Sequence, residues 1–484
     1  MANGWREGKN MFDMNRRNFL KSAFAVGAAS AMSGCVTPGW FGPDGAPMHG
    51  FAAPALKHIR LGIVGMGGRG QGVMERIKGL PGISVVAVCD KNPEKIKQSQ
   101  QRLANQGKAP AKEYLGDDAW LALCDDPDVD VVYNTTPWEL HVPVALAAMR
   151  GGKHVFTEVP SAFTVDECWE LVETSEKTKK HCMQLENCCY GEVEMLTLNL
   201  VRLGMLGEVN HAEGAYIHDL RDMVTENYPT YEYWRYPHNR DHAGNRYGTH
   251  GLVPLCLTMD VNRGDRLDYL VSMDSRELNF RLYKDNHLKA DDPRYAEAMK
   301  TGDMNTSLIR TILGKTIMIQ HDVSSPRPYT RIQLVSGTKG IIKDYPYQIA
   351  IEPSNGAGAH GWYTQEAANE IATKYMHPLY KTIGELAKRV GGHGGMDFIM
   401  DARWIYCLQQ GLPLDMDVYD LATTCVIGEL TEKSVNRRSA PIDIPDFTRG
   451  AWRTNAKMDI VDIDLEKFGL KDAAIEKAAD QMSV

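Results

Sequence analysis

Residues 59 to 70 read Ile59-Arg-Leu-Gly-Ile-Val-Gly65-Met-Gly67-Gly-Arg-Gly70. A short apolar strand runs into three spaced glycines, and Val73 to Lys78 fits the helix that follows. In such a turn the first glycine permits the tight bend and the second lets backbone approach a pyrophosphate. The third lets the helix pack closely on the strand, with its N-terminus facing the phosphates. Asp90 closes a second strand, Ile83 to Cys89, at the ~20-residue offset of a dinucleotide fingerprint. A carboxylate there accepts hydrogen bonds from the adenosine ribose and repels a 2'-phosphate, which predicts NAD rather than NADP. Gly68 and Arg69 belong to the same loop. Arg69 is expected over the pyrophosphate, the alternative being a solvated loop arginine.

Working outward, Val129 to Asn134, Lys153 to Phe156 and Cys182 to Glu186 read as further strands. They alternate with helical stretches at Val142 to Met149 and Val165 to Thr178. This alternation predicts an α/β fold with a doubly wound parallel sheet, a Rossmann domain over residues 58 to 187. The loop Thr135-Thr-Pro-Trp138-Glu139-Leu140-His141 follows a strand's carboxyl end, where open parallel sheets bind ligands. Trp138 and His141 are therefore expected along the nicotinamide half, although a surface histidine at a helix start is the other reading of His141. Beyond the sheet, Glu192 to Leu203 looks helical. Segments 208 to 217, 268 to 274, 308 to 321, 330 to 336 and 340 to 344 look strand-like, several alternating apolar and polar residues. Helices are expected at 395 to 410 and 417 to 434. Residues 188 to 484 are thus expected to form a C-terminal α+β domain with a large open, mostly antiparallel sheet.

The bulk numbers narrow the function classes. The 484-residue chain carries a net charge of -8 and is 43% hydrophobic and 24% charged. Neither a nucleic-acid footprint nor a polybasic membrane patch stands out, so a small or neutral ligand is expected and nucleic acid is not. Ten cysteines are scattered, mostly among apolar neighbours, and read as buried thiols rather than a disulfide framework. The vicinal Cys188-Cys189 lacks zinc spacing, and no metal is expected.

The N-terminus reads as a targeting segment, residues 1 to 57 being signal and linker. Arg16-Arg17 precede Phe19-Leu20 and a small-residue apolar run from Ala23 to Met32. This is a twin-arginine export pattern, pointing to the periplasm or cell envelope. Gly34-Cys35 resembles a lipoprotein box, which would anchor Cys35 to lipid; cleavage near Ala31 and release is the alternative. Translation could begin at Met1 or Met14. Residues 36 to 57, rich in Gly, Pro and Ala, read as a linker.

Taken together, the fingerprint, the Thr-Thr-Pro loop and the mixed second domain resemble the glucose-fructose oxidoreductase and inositol dehydrogenase superfamily. In many of its sugar dehydrogenases a strand here ends in Glu-Lys-Pro, the lysine handling the hydroxyl proton beside the nicotinamide. This chain reads Glu158-Val159-Pro160, and valine carries no proton. More specific segments are Trp138-Glu-Leu-His141, Glu186-Asn-Cys-Cys-Tyr190, His218-Asp-Leu-Arg221, Tyr247-Gly-Thr-His250, Arg327-Pro-Tyr329 and Gly391-Gly-His-Gly-Gly-Met-Asp397. These resemble glycoside hydrolase family 109, known for NAD-dependent α-N-acetylgalactosaminidases.

That resemblance implies a retaining glycosidase with tightly bound, recycled NAD. Oxidation at C3 of the sugar would acidify the C2 proton. Loss of that proton would expel the aglycone; water addition and re-reduction would follow. The runner-up is a periplasmic sugar dehydrogenase. The resemblance further implies that Gly68, Arg69, Asp90, Trp138, Glu139, Leu140, His141, Glu158, Val159, Asn187, Tyr247, Gly248, Thr249 and His250 line the NAD. Tyr216, Arg235, Tyr247 and Tyr329 would contact a sugar, expected to be a terminal amino sugar of a glycan or glycoside. Tyr190 would be the C2 base and His250 the group handling the C3 hydroxyl proton. Read from the residues alone, His250 is equally a capping or buried histidine and Tyr190 a core residue. A homo-oligomer, a dimer, is implied by analogy.

Overall fold

The computed structural model describes residues 47–225, 234–352 and 360–470. The twin-arginine segment and Cys35 lie outside the described residues.

The first half is a six-stranded sheet in the order β3-β2-β1-β4-β5-β6, all pairs parallel. Its strands are β1 (Ile59–Val64), β2 (Ile83–Asp90), β3 (Lys112–Leu115), β4 (Val131–Asn134), β5 (His154–Thr157) and β6 (Cys182–Gln184). All residues of β4, β5 and β6 are buried, which explains their unbroken apolar reading: helices cover both faces. The strand order reverses between β1 and β4, so the loops after these two strands diverge and open a crevice at the sheet's carboxyl edge.

The second half is an eight-stranded sheet in the order β13-β12-β11-β7-β10-β9-β8-β14. Its strands are β7 (Val209–Ile217), β8 (Leu267–Asp274), β9 (Asn305–Thr311), β10 (Thr316–Asp322), β11 (Leu334–Gly337), β12 (Gly340–Lys343), β13 (Gln348–Ile351) and β14 (Ile442–Asp443). Only the β7–β10 pair is parallel; the other pairs are antiparallel. The stretch expected as one strand over 308 to 321 is a hairpin, turning at Gly314 with φ +88°. The alternation of buried residues runs through both arms, so periodicity alone hides the turn. The helix expected over 417 to 434 is two, Val418–Cys425 and Ile427–Asn436.

Helix Met396–Gln410 ties the halves together, with twelve of its residues buried. A helix buried on every side belongs inside a core, with its Asp401 and Arg403 paired there. Trp404 stacks on Phe156 of β5 with ring centroids 4.6 Å apart. Asp401 accepts from Arg76 Nε at 2.7 Å and from the Tyr133 hydroxyl at 3.0 Å. A helix late in sequence therefore covers the first sheet.

Residues 47 to 57 correct the linker expectation. Met48 and Ala53 are buried. The Met48 amide donates to the Tyr419 hydroxyl at 3.2 Å, and the Leu56 amide to the Leu408 carbonyl at 2.9 Å. This Gly/Pro/Ala-rich composition looked like free chain, but its backbone is anchored to partners more than 350 residues away.

Candidate functional site

The glycine loop meets the crevice as the motif demands. Gly65 sits at φ +92°, and a Cβ there would lie 2.7 Å from the Thr135 carbonyl oxygen. A Cβ on Gly70 would run into the Gly65 carbonyl oxygen, so helix and strand touch backbone to backbone. At Gly67 a Cβ would meet nothing within 4 Å; the backbone is open to a phosphate at that point. The Asp90 carboxylate accepts from the Met66 amide at 2.6 Å and the Asn92 amide at 2.8 Å. It holds the loop while standing at the strand end where a ribose would lie. An open backbone cradle, a helix N-terminus and an acidic strand end together fit a dinucleotide.

Arg69 lies beside the crevice in a network with acids from both halves. Its Nε donates to Glu158 at 2.9 Å and its Nη1 to Asp397 at 2.9 Å. Asp397 also accepts from Asn187 Nδ2 at 2.6 Å and pairs with His393 at 2.9 Å. The Arg69 and Arg76 guanidiniums and His393 hold the Asp397 carboxyl far below the usual carboxylate range, against the opposing effect of burial. The second half thereby grips the cofactor edge of the first, and Asp397 does so through the Gly-Gly-His-Gly-Gly-Met-Asp segment.

Val159 stands at the head of an aromatic cluster. Trp138, Tyr216, Tyr236 and Tyr247 are buried with it. Trp138 stacks on Tyr247 at 5.6 Å between centroids, and Tyr247 lies 4.6 Å from Tyr216. The Arg235 guanidinium sits 5.2 Å from the Trp138 ring and 5.7 Å from Tyr247. Tyr329 is 6.2 Å from Tyr216 and is the exposed member of the group. Residues from positions 138, 159, 216, 235, 247 and 329 thus converge. Of the remaining loop residues, Glu139 is exposed and pairs with His238 at 3.1 Å, and Leu140 is half-buried. Gly248 precedes helix Thr249–Thr258, whose buried Thr249 hydroxyl has no partner among the described residues.

His250 lies against this cluster, 4.9 Å from Tyr247 and 5.2 Å from Tyr216. Its Nδ1 faces Glu186 Oε1 at 2.6 Å. Glu186 is fully buried; although burial works to raise its pKa, His250 and the Cys188 amide bring it below the usual carboxylate value. A carboxylate on Nδ1 fixes ring orientation and tautomer and leaves Nε2 for proton transfer. Glu186 was visible only as part of a motif; its role appears when Glu186 and His250, 64 residues apart, meet. Cys188 completes a group of three potential ligand atoms within 4.8 Å of one another. Burial pushes that thiol's pKa well up, away from the thiolate a metal would need. The nine cysteines described are all free and buried.

Two residues do not sit as the resemblance implies. His141 is buried beneath its loop, with Nδ1 2.8 Å from the Pro160 carbonyl and Nε2 3.0 Å from the Thr136 carbonyl. Burial lowers its pKa to about 4, and the neutral ring donates to only one of the two. It braces the Trp138 loop against the Val159 turn instead of offering a nitrogen to the nicotinamide. Tyr190 is fully buried, and its hydroxyl donates to Asp415 Oδ2 at 2.9 Å. Burial and the Asp415 carboxylate push its pKa well above the ordinary phenol value, so the proton is held on. A base must present a free oxygen to the substrate; this hydroxyl is fully buried and engaged by Asp415, the core position that the residue alone also allowed.

Comparison with known proteins agrees with this division. Residues 59–185 match the model of the oxidoreductase family, NAD-binding Rossmann fold. Residues 190–454 match that of glycosyl hydrolase 109, C-terminal domain. The chain is 46% identical over 416 residues to glycosyl hydrolase family 109 protein 1 of Bacteroides fragilis strain YCH46, spanning 83% of this chain and 88% of that protein. It is 44% identical over 408 residues to an alpha-N-acetylgalactosaminidase of Bacteroides fragilis, spanning 84% of this chain and 95% of that one. Among solved structures, levoglucosan dehydrogenase in complex with NADH and levoglucosan aligns with a TM-score of 0.60 at 18% identity, covering 80% of this chain and all of that one; at that identity the likeness is one of fold. The match of residues 190–454 to the glycosyl hydrolase 109 model and the 46% identity over 83% of the chain show that this chain belongs to glycoside hydrolase family 109.

Proposed function

We propose that the protein is an NAD-dependent retaining glycosidase that removes terminal α-linked N-acetylgalactosamine from a glycan or glycoside. The observation that carries this reading is that Val159, at the position where the related dehydrogenases keep a lysine, and the His250–Glu186 pair adjoin the same aromatic cluster. The relative named alpha-N-acetylgalactosaminidase supports the choice of sugar.

The glycine loop, Asp90 and Asn187 would hold the dinucleotide. When bound, NAD supplies reversible oxidation of the sugar at C3, which makes the C2 proton acidic and lets the aglycone depart from C1. His250 Nε2 takes the C3 hydroxyl proton and later returns it, Glu186 stabilising the charged ring. Tyr216, Tyr247 and Arg235 fix the sugar, while Val159 and Trp138 exclude water from the face where oxidation occurs. With Tyr190 turned toward Asp415, Tyr329 becomes the candidate C2 base. It faces the cleft and accepts from Arg331 Nη1 at 2.9 Å, a contact that stabilises a phenolate, although burial keeps its pKa above the ordinary value.

Export by the twin-arginine route, a lipid anchor at Cys35 and a dimer are parts of the same proposal, supported by the sequence pattern and by analogy. The decisive experiment is turnover of an aryl α-N-acetylgalactosaminide in deuterated water. Deuterium at C2 of the product sugar, with no net NADH, is the expected result. Hydrolysis without exchange at C2 sinks the elimination route, and NADH accumulation with free sugar would identify a dehydrogenase instead.

A further inference from the structure

One buried charge lies beside the aromatic cluster without a close partner. Arg246 is 6% exposed. Its nearest carboxylate, Glu432, stands 3.8 Å away, and its Nε has no hydrogen-bond partner among the described residues. The guanidinium rests instead on the Phe163 ring, 4.5 Å from the centroid. Burial outweighs the attraction of Glu432, Glu167 and Glu429 and lowers the Arg246 pKa to about 10, so near neutrality the charge is present but poorly balanced. An arginine this deep calls for a hydrogen-bonded counter-charge, because a buried cation left unpaired is costly.

A place for that counter-charge adjoins it. Arg246 lines a small cavity together with Arg235, Asn239, His321, Tyr216 and Tyr247. Its volume is about 10 Å³, room for one water-sized particle. Arg235 brings a second positive charge. Its guanidinium rests on Trp234 at 4.4 Å and Trp138 at 5.2 Å, and it pairs with no carboxylate among the described residues. Burial, Arg246 and Arg235 lower the His321 pKa to about 4, and the neutral ring still has one N–H to give. Asn239 Nδ2 donates one hydrogen to the Arg235 carbonyl at 2.9 Å and keeps another.

The cavity thus combines two guanidiniums and two neutral donors, and no Asp or Glu lines it. Water would answer the donors and leave the charge unbalanced. A carboxylate or sulfate carried by a sugar needs more room than one water-sized space. A single monatomic anion meets both demands.

We propose that this cavity is a chloride site, in which the anion bridges Arg246 and Arg235 and accepts from His321 and Asn239. The site goes beyond the glycosidase reading and does not depend on it. Where that reading holds, the anion also fixes Arg235, one of the groups that hold the sugar.

The test uses the holoenzyme, Arg246→Leu and Arg246→Lys. Replacing about 0.1 M gluconate, too large for the cavity, by chloride at equal ionic strength should raise the wild-type Tm by about 1–4 °C. Arg246→Leu should melt at the same temperature in both salts, and Arg246→Lys should keep part of the response. Crystals of the holoenzyme grown in bromide should show an anomalous peak between Arg246 and Arg235, which decides the matter even if Arg246→Leu does not fold. Equal wild-type melting in the two salts, an undiminished response in Arg246→Leu, or bromide only at other positions overturns the proposal. With an aryl α-N-acetylgalactosaminide, KM should be about 3- to 10-fold higher in gluconate than in chloride; a KM indifferent to the salt overturns the link to Arg235. If wild type cleaves no such glycoside, the glycosidase reading fails, and the melting and bromide measurements still decide the anion site.

Discussion

The glycine loop of the first half and the aromatic cluster around Trp138, Tyr216 and Tyr247 are built in different ways. In the loop, function lies in backbone: Gly65, Gly67 and Gly70 matter for the side chain they lack, and their spacing is local. In the aromatic cluster, the candidate groups are side chains gathered from distant positions, as with His250 meeting Glu186 or Tyr216 meeting Tyr329. The comparison teaches that a cofactor site can be written in a dozen consecutive residues. The candidate sugar site draws on a loop of the first half and on a strand, helices and loops of the second, so no single run of sequence contains it.

The sharpest way to break the comparison is His250→Ala. Turnover should fall by about 10²- to 10⁴-fold, the usual worth of a positioned acid–base group, while dinucleotide extracted from the purified protein stays near one per chain. Loss of bound dinucleotide would place His250 with the cofactor side instead.

Asp90→Ala attacks the other region. Hydrogen bonds to a charged group are worth ~1.5–3 kcal/mol, so NAD retention should weaken by about 10- to 100-fold. Measured after dialysis, unchanged retention would contradict the ribose role. Glu186→Gln should cost a loss of similar size in kcat, with KM little changed and the pH–rate profile displaced. A uniform drop without a displaced profile would mean the residue is merely structural.

Acid should also test the two regions together. His154 and His181 on the first sheet and His321 on the second are buried, and burial lowers their pKa values to about 4, about 3 and about 4. His154 Nδ1 accepts from the His181 amide at 3.0 Å, a bond that protonation would break. The unfolded chain binds these protons below about 6.5, the folded chain only near 4 or lower. Stability is therefore full above that unfolded value and falls as pH drops toward 4, by up to ~1.4 kcal/mol per unit for each histidine. Urea midpoints at pH 7 and pH 5 would show it; equal midpoints would mean the rings take up protons in the fold as readily as in the unfolded chain.

The smallest effect is expected for Tyr190→Phe. It removes one buried hydrogen bond, worth ~0.5–1.5 kcal/mol of stability, and should leave turnover within about tenfold. Collapse of activity comparable to that of His250→Ala would restore Tyr190 as the base.

Much of this was legible before any coordinates. The glycine spacing predicted the turn, the strand-end acid and the parallel sheet, because each depends on neighbours in sequence. Trp138, Tyr216, Arg235, Tyr247 and His250 were singled out, and they do meet in one cleft. The two halves of the 305–322 hairpin merged in the reading because alternation continues across a four-residue turn. The strap at residues 47 to 57 was missed because its composition says nothing of the buried partners awaiting it.

By itself, the sequence determined the Rossmann half and the preference for NAD, which follow from local steric and charge requirements, while the absence of a lysine at Val159 stood out only through the family resemblance. Only the tertiary structure decided what surrounds each titratable group. The same ring rests on Glu186 at His250 and is braced between two carbonyls at His141, and the same phenol is exposed at Tyr329 and bonded to Asp415 at Tyr190. Burial and the partner on the far side of each ring make that difference, and both are set by residues too far along the chain for any local pattern to record.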